Sequence, residues 1–262
     1  MNTDETPTLP GEHDVEPDLD IEQDSPDLDL PEDDEDVTLQ LSPYLNIYGY
    51  PAELDYDDLV PRPSNLAQLD AFCREVVGEK FEVPEALELK PGEKLIYVSL
   101  GSMGSVDVDL MKRILAVLEK TPHKYIVSKG QRGDEYDLPS NCWGQNFLPQ
   151  TSVLPLVDLV ITHGGNNTIT ETFQFGKPMI VMPLFADQYD NAQRVQEKGY
   201  GVRLEPYSFT ERELLDSIDR LLSDSQLHAR LQAVKERIAK TNSKEVVCKR
   251  IEQVVEVKNS NS

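Results

Sequence analysis

From about residue 93 onward, short apolar runs alternate with stretches in which apolar residues recur at helical spacing. The runs predicted to be strands are KLIYVSL (94–100), KYIVSK (124–129), NCWGQNFLP (141–149), DLVITH (158–163), PMIVMP (178–183) and GVRL (201–204). The stretches with helical spacing include 106–120, 167–176 and 187–199. Strands that alternate with helices of roughly 10 to 15 residues indicate βαβ units. We therefore predict an α/β fold with a parallel sheet flanked by helices.

The last part of the chain is predicted to be helical. Thr210 and Glu213 have the T-x-x-E spacing of a capping box and precede the apolar sequence LLDSIDRLL. Two further helices are expected to follow, ending near Val257.

Charge is distributed unevenly along the 262 residues, which carry a formal net charge of -23. Before Arg62 there are 20 acidic residues and no Lys or Arg, whereas the rest has 28 acidic and 25 basic residues. Residues 1–41 combine like charges with prolines and few aromatic residues, so we predict a disordered acidic tail. Such a tail either keeps the chain in solution or docks a basic partner. It argues against nucleic acid as a partner.

The remaining composition excludes several classes of protein. Cys73, Cys142 and Cys248 are far apart and in no CxxC pair, so neither a disulfide framework nor a metal site is indicated. No signal peptide and no apolar run long enough for a membrane span is visible. We therefore expect a cytoplasmic chain without a membrane span.

Small polar residues and glycines follow several predicted strands. Gly101 and Ser102 follow the first strand, residues 163–168 follow DLVIT, and residues 185–188 follow PMIVMP. Ligands of parallel sheets bind beyond the carboxyl ends of the strands. Glycines allow a close approach to the backbone, and the first amides of a helix attract anions. This edge of the sheet is therefore predicted to bind a phosphate group.

The sequence ITHGGNNTITE (161–171) adds hydrogen-bonding groups to this prediction. Asn167 and Thr168 are expected to cap a helix and to donate to phosphate oxygens. Glu171 lies one helical turn after Asn167 and could accept from the two hydroxyls of a ribose. Phosphate followed by ribose indicates a nucleotide. The alternative is that the stretch is only a helix cap and a tight turn.

A longer stretch resembles a known family. The sequence NFLPQTSVLPLVDLVITHGGNNTITETFQFGKPMIVMPLFADQYDN (146–191) resembles the donor-binding signature of the UDP-glycosyltransferases, which include UDP-glucuronosyl- and UDP-glucosyltransferases. SPYLNIYGYPAELDY (42–56) and FEVPEAL (81–87) resemble the linker of arthropod-type members. The resemblance covers roughly residues 42–240. It implies one Rossmann-like half of a GT-B fold, with 42–92 as a linker or remnant of an N-terminal domain and 93–257 as the UDP-sugar donor-binding domain.

The resemblance also implies roles for individual residues. Phe147 would stack on uracil, with Leu148 reading the edge of the base and Gln150 near the ribose; the alternative for Phe147 is a core position. The diphosphate would contact Ser102, His163, Asn167 and Thr168 beside glycines 101, 164 and 165, and Glu171 would bind the ribose. Asp187 and Gln188 would bind the hydroxyls of the sugar, although a DQ pair at a helix start is ordinarily a cap. The chain requires no cofactor besides the UDP-sugar, which is its donor substrate.

His163 is the candidate catalytic residue. A histidine in a phosphate cradle is placed to stabilise charge on the departing UDP rather than to deprotonate an acceptor. Members of the family carry the acceptor pocket and the catalytic base in an N-terminal domain, for which about 60 residues remain here. The other histidines, His13, His123 and His228, are in no recognisable base motif. We therefore expect the acceptor base to be absent.

Three functions remain open at this point. The chain could be a UDP-glycosyltransferase that transfers a hexose, glucose or glucuronate, to a small hydroxylated acceptor with inversion. It could instead be a donor-binding subunit that needs a partner chain carrying the N-terminal half. The third alternative is a UDP-sugar binder without catalytic activity.

Overall fold

The computed structural model describes residues 41–70, 72–73 and 80–260. Apart from Leu41, the predicted acidic tail lies outside the described residues, and so does His13. The described residues from Leu41 onward form one compact unit.

The strands and helices of this unit alternate along the chain. The strands are β1 (Asn46–Gly49), β2 (Leu66–Leu69), β3 (Leu95–Ser99), β4 (Lys124–Ser128), β5 (Cys142–Gln145), β6 (Leu159–Thr162), β7 (Met179–Val181) and β8 (Gly201–Arg203). The α-helices are α1 (Gly101–Gly104), α2 (Val108–Leu118), α3 (Gln150–Val153), α4 (Asn166–Gln174), α5 (Gln188–Glu197), α6 (Glu211–Ser223), α7 (Ser225–Ile238) and α8 (Ser243–Ser260). Short 3₁₀ turns lie at Glu85–Leu87, Gly133–Glu135 and Leu154–Leu156.

Six strands form one parallel sheet in the order β5-β4-β3-β6-β7-β8. The chain enters this sheet at the central strand β3 and continues to one side of the sheet through β4 and β5. It then crosses to β6, which lies on the other side of β3. This is the strand order of dinucleotide-binding α/β sheets, in which ligands bind where the strand order reverses. The predicted α/β fold is confirmed, and the reversal lies between β3 and β6.

The core has two layers, one on each face of the sheet. All five residues of β3 are buried, and successive side chains point to opposite faces. Ile96 and Val98 pack in one layer with α2 and α6, whereas Leu95 and Tyr97 pack in the other with α4. Burial on both faces explains why the central strands read as continuous apolar runs in the sequence.

The predicted capping box at the start of α6 is confirmed. The Thr210 hydroxyl accepts from the Glu213 amide at 3.2 Å, and the Glu213 carboxylate accepts from the Thr210 amide at 2.7 Å. Two further helices follow, as expected from the sequence.

The region before β3 packs against the domain that follows it. β1 and β2 pair in parallel as a separate two-stranded sheet. Tyr50, Leu54 and Leu87 belong to the second core layer. Arginines on three late helices bind this region: Arg194 on α5, Arg237 on α7 and Arg250 on α8. The sequence did not predict β1, β2 or these contacts.

Candidate functional site

A cleft of about 460 Å³ opens at the carboxyl ends of β3, β4 and β6. The last residues of these strands, Ser128, Ser99 and Thr162, pair in register, which places three hydroxyl-bearing residues side by side across the sheet. Nine predicted residues line the cleft: Gly101, Ser102, Phe147, Leu148, Gln150, His163, Gly165, Asn167 and Thr168. The cleft therefore occupies the position that the sequence indicated, at the reversal of strand order.

The first turn of α4 faces this cleft. The helix begins at Asn166, and its N-cap is Gly165, which makes no side-chain cap hydrogen bond. The expectation that Asn167 and Thr168 cap the helix is wrong, because both residues lie inside the first turn. Helix N-termini present free amides and a positive partial charge, so this turn favours an anion in the cleft.

His163 lies between two glycines at the floor of the cleft. A Cβ atom added to Gly101 or to Gly165 would lie 2.6 Å from His163 Nε2. Gly101 also has a φ of +70°, which side chains rarely adopt. Glycine is required at both positions, because a larger residue would displace the imidazole ring.

The imidazole of His163 is held and neutral in this site. His163 Nδ1 lies 3.3 Å from Thr162 Oγ1. Burial lowers the pKa of His163 below its usual value, and the neighbouring Asp187 carboxylate offsets only part of this effect. The lowered pKa of His163 therefore favours the neutral ring at pH 7 when the cleft holds no anion.

Glu171 is a buried carboxylate beside the cleft, with 2% of its surface exposed. The Gln150 side-chain amide donates to Glu171 Oε2 at 2.6 Å and to Thr168 Oγ1 at 3.3 Å. Gln150 lines the cleft, whereas Glu171 does not, and their contact connects the carboxylate to the cleft wall. The amide of Gln150 thus orients the carboxylate that the sequence assigned to a ribose.

Phe147 has 67% of its surface exposed and lines the cleft. The alternative of a core position is therefore wrong for this residue. Leu148, the next residue, packs instead against the second core layer. An exposed aromatic ring at the mouth of a cleft offers a flat apolar surface on which a base can stack.

The loop between β7 and α5 brings Asp187 to the start of α4. Asp187 Oδ2 accepts from the Asn166 amide at 3.2 Å and from Asn191 Nδ2 at 3.1 Å. Ala186, immediately before it, has a φ of +53°, an uncommon conformation for a residue with a side chain. Strain of this kind at a loop tip is typical of functional sites.

Gln188 is placed differently from its neighbour Asp187. Its side chain is buried, and its Oε1 atom accepts from the amides of Leu184 and Phe185. The oxygen of Gln188 thus holds the β7–α5 loop, and the side-chain nitrogen is the group that could donate to a ligand. Gly164, Glu171, Asp187 and Gln188 adjoin the cleft without lining it.

The sequence analysis missed several residues that line the cleft. These are Tyr97, Ser99, Ser105, Ser128, Gly130, Asn146 and Asn166. Ser128 ends β4, and Gly130 and Asn146 lie just after β4 and β5, so the rule that located His163 could have found them once the strand ends were known.

The other described histidines lie outside the cleft. His123 precedes β4, and its Nδ1 accepts from the amide of Lys94, which precedes β3. Both residues therefore lie at the amino ends of the strands, opposite the cleft. His228 is on α7. None of the helices in the described residues has the length and apolar character of a membrane-spanning segment.

Comparison with known proteins identifies the family. The sequence model of the family described as UDP-glucoronosyl and UDP-glucosyl transferase matches residues 60–235, about two thirds of the chain. The chain belongs to this family. Among its relatives, the NDP-glycosyltransferase YjiC of Bacillus subtilis is 29% identical over 188 residues, which are 70% of this chain and 48% of YjiC. UDP-glucuronosyltransferase 2B19 of Macaca fascicularis is 33% identical over 147 residues, or 55% of this chain and 28% of the relative.

Solved structures agree with this assignment. The crystal structure of the glycotransferase of kitacinnamycin superposes with a TM-score of 0.69 at 25% identity, covering 81% of this chain and 55% of the crystallised chain. The structural neighbours are GT-B glycosyltransferases, and the predicted Rossmann-like half of a GT-B fold is confirmed. This UDP-glycosyltransferase chain spans about half the length of the curated bacterial relatives.

Proposed function

We propose that the chain is the donor-binding half of a UDP-glycosyltransferase and binds a UDP-sugar in the cleft between β3 and β6. The first turn of α4, with Ser102, would hold the diphosphate, and Phe147 would stack on uracil. Glu171, oriented by Gln150, would accept from the ribose hydroxyls. The observation that carries this proposal is the Gln150–Glu171 contact of 2.6 Å beside the first turn of α4, which has no side-chain cap.

The proposed reaction is transfer of a hexose to a small hydroxylated acceptor with inversion. The acceptor oxygen would attack the anomeric carbon from the side opposite UDP, and the C–O bond to the β-phosphate would break. His163 would stabilise the departing UDP, because a bound diphosphate favours the protonated imidazole. The acceptor must lose its proton to a base, and none of the described histidines besides His163 lines the cleft.

Of the two sugars considered, we propose a neutral hexose such as glucose rather than glucuronate. None of the described residues that line the cleft is Lys or Arg. The β7–α5 loop instead places the exposed carboxylate of Asp187 against the start of α4. A carboxylate accepts from sugar hydroxyls but repels the carboxylate of a uronic acid.

Calorimetric titration of the chain tests this function. We expect UDP and UDP-glucose to bind with similar affinity, UDP-glucuronate more weakly and AMP much more weakly. Glu171→Ala should weaken UDP binding by about 1 to 3 kcal/mol, the range for hydrogen bonds to a charged group. Glu236→Ala, which removes an exposed carboxylate on α7, is the matched control and should leave binding unchanged. Equal affinity of the Glu171 and Glu236 variants would refute the ribose assignment.

A second candidate function, a donor-binding subunit that acts with a separate acceptor-binding chain, is favoured by the β1–β2 sheet. Among the described residues, β1 pairs with β2 alone, so its other edge is open. Parallel two-stranded sheets are seldom exposed in this way. Ile47 on β1 is 43% exposed and Phe72 after β2 is 59% exposed. The Gly49 carbonyl, at the end of β1, accepts from Asn166 Nδ2 at 2.9 Å, so an added strand would lie close to the cleft.

Complementation distinguishes the two candidates. The N-terminal half of a full-length relative, expressed separately, should co-elute with the chain and restore glucose transfer to a phenolic acceptor. Ile47→Lys should weaken the complex, because charges on an edge strand block pairing, and should leave UDP affinity unchanged. Robust transfer by the chain alone would rule out the subunit function. UDP binding without transfer or hydrolysis under either condition would indicate a binder without catalytic activity.

A further inference from the structure

Asn191 is a buried polar residue to which neither the sequence analysis nor the proposed function gives a role. It lies on α5, one helical turn after Asp187, and only 4% of its surface is exposed. Its side-chain nitrogen donates to the Gly164 carbonyl at 2.8 Å and to Asp187 Oδ2 at 3.1 Å. One amide group thus connects the loop after β6 with the loop after β7.

The two acceptors of Asn191 belong to different parts of the proposed donor site. Gly164 lies in the loop that carries His163 and leads into α4, where the diphosphate would bind. Asp187 is the exposed carboxylate proposed to bind the sugar. The Asn166 amide donates to the same Asp187 oxygen at 3.2 Å, so Asp187 Oδ2 is held from two directions.

Fixing one oxygen of Asp187 fixes the direction of the other. An exposed aspartate at a loop tip would otherwise sample several rotamers, and ordering it on binding would cost affinity. The buried amide removes this cost before the ligand arrives. The side chain of an aspartate at position 191 would have no N–H group to donate. Its carboxylate would repel both the Gly164 carbonyl and the Asp187 carboxylate.

We propose that Asn191 is a positioning residue for the donor sugar. It aligns Asp187 with the diphosphate cradle through the Gly164 carbonyl, and it does not touch the nucleotide. This inference rests on the proposed binding of a UDP-sugar. It extends that proposal by assigning different residues to two tasks. Some residues hold UDP, whereas the buried Asn191 amide orients Asp187 toward the sugar.

Calorimetric titration of Asn191→Ala and of the isosteric Asn191→Asp with UDP and UDP-glucose tests the inference. We expect both variants to bind UDP-glucose about tenfold more weakly, the effect of losing a hydrogen bond to a charged group. UDP affinity should fall by less than about threefold, because UDP does not reach Asp187. Gln193→Ala is the matched control on the same helix, since its exposed side chain contacts only Glu197 among the described hydrogen bonds, and it should change neither affinity.

Three outcomes would overturn the inference. Equal losses for UDP and UDP-glucose would indicate a general structural role. An undiminished loss from Asn191→Ala in an Asp187→Ala background would show that Asn191 does not act through Asp187. Unchanged affinities in variants with native melting temperatures would show that the amide is dispensable. Absence of UDP binding by the unmodified chain would instead reject the proposed function itself, so the two failures are distinguishable.

Discussion

Replacement of Gly101 by alanine is expected to abolish measurable UDP binding and to lower the free energy of unfolding by about 2 to 5 kcal/mol. The backbone at Gly101 has a φ of +70°, which costs a residue with a side chain about 1 to 2 kcal/mol. The new Cβ atom would lie 2.6 Å from His163 Nε2, and relieving such a clash costs about 1 to 3 kcal/mol more. Because the imidazole ring is largely buried, it can move only by leaving the floor of the cleft.

Gly92→Ala is the matched control for this substitution. Gly92 has a φ of +88°, but a Cβ atom there would meet no atom within 4 Å. It should therefore lose about 1 to 2 kcal/mol of stability and retain UDP affinity. In a His163→Ala background, Gly101→Ala should cost no more than Gly92→Ala, because the clash is gone. Equal effects of the two glycine substitutions in the unmodified chain would refute a steric role for His163.

Replacement of Arg194 by methionine is expected to lower the free energy of unfolding by about 2 to 6 kcal/mol. Its side chain is 3% exposed and donates to the Leu54 carbonyl at 2.9 Å, the Asp55 carbonyl at 2.5 Å and Asp58 Oδ1 at 2.7 Å. The guanidinium also lies 4.4 Å from the centre of the Tyr56 ring. Methionine keeps the apolar stem but leaves the two carbonyls without their donors, at about 1 to 3 kcal/mol each when buried.

Urea denaturation of the Arg194 variant should be compared with Arg212→Met. Arg212 is 89% exposed and pairs with Asp216 one turn along α6, so its loss should cost less than about 0.5 kcal/mol. Hydrogen exchange should accelerate at residues 50–60 in the Arg194 variant alone. A difference of less than 0.5 kcal/mol between the two variants, within roughly the noise of surface substitutions, would contradict this prediction.

The stability contributed by the Arg194–Asp58 contact is expected to depend on pH. Hydrogen bonds from Lys198 and Arg194 lower the pKa of Asp58 from 3.8 to about 2. A carboxylate with a depressed pKa contributes its stability above its unfolded pKa and loses it as the pH falls through the folded one. The stability difference caused by Arg194→Met should therefore be constant between about pH 5 and 8 and should shrink toward pH 2.

Local signals were sufficient to predict the elements of the six-stranded sheet. β3, β4, β6 and β7 are runs of mostly buried apolar residues, and the capping box of α6 lies within four residues. The short strands β1 and β2 have four residues each, with only one fully buried residue between them, so no apolar run marks them. Their surroundings depend on residues far along the chain: Arg237 binds Asp70 directly after β2, and Arg250 binds the Leu66 carbonyl in β2.

Local signals in the sequence also predicted part of the candidate site. His163 follows β6 directly and Gly165 and Thr168 come within six residues of it, so the strand pattern placed them at the carboxyl end of the sheet. The capping prediction for Asn167 and Thr168 was wrong, because Gly165 can serve as an N-cap without a side chain. Asn191 ends the motif at 146–191, but its role was not predicted, because the partners of a polar residue inside a helix are known only from the structure.

The amino-acid sequence alone was enough to predict the α/β class, the parallel direction of the sheet, the loops that line the cleft and, through the motif at 146–191, the family. Each of these depends on residues close together in the chain. The tertiary structure decided the order of the strands, the orientation of Glu171 by Gln150, the link from Asn191 to Gly164 and the contact of Arg194 with Leu54. These pairs are separated by 21, 27 and 140 residues, respectively. Such contacts form only when elements that fold from local signals pack together, since the geometry of that packing depends on the shapes of all the buried side chains at once.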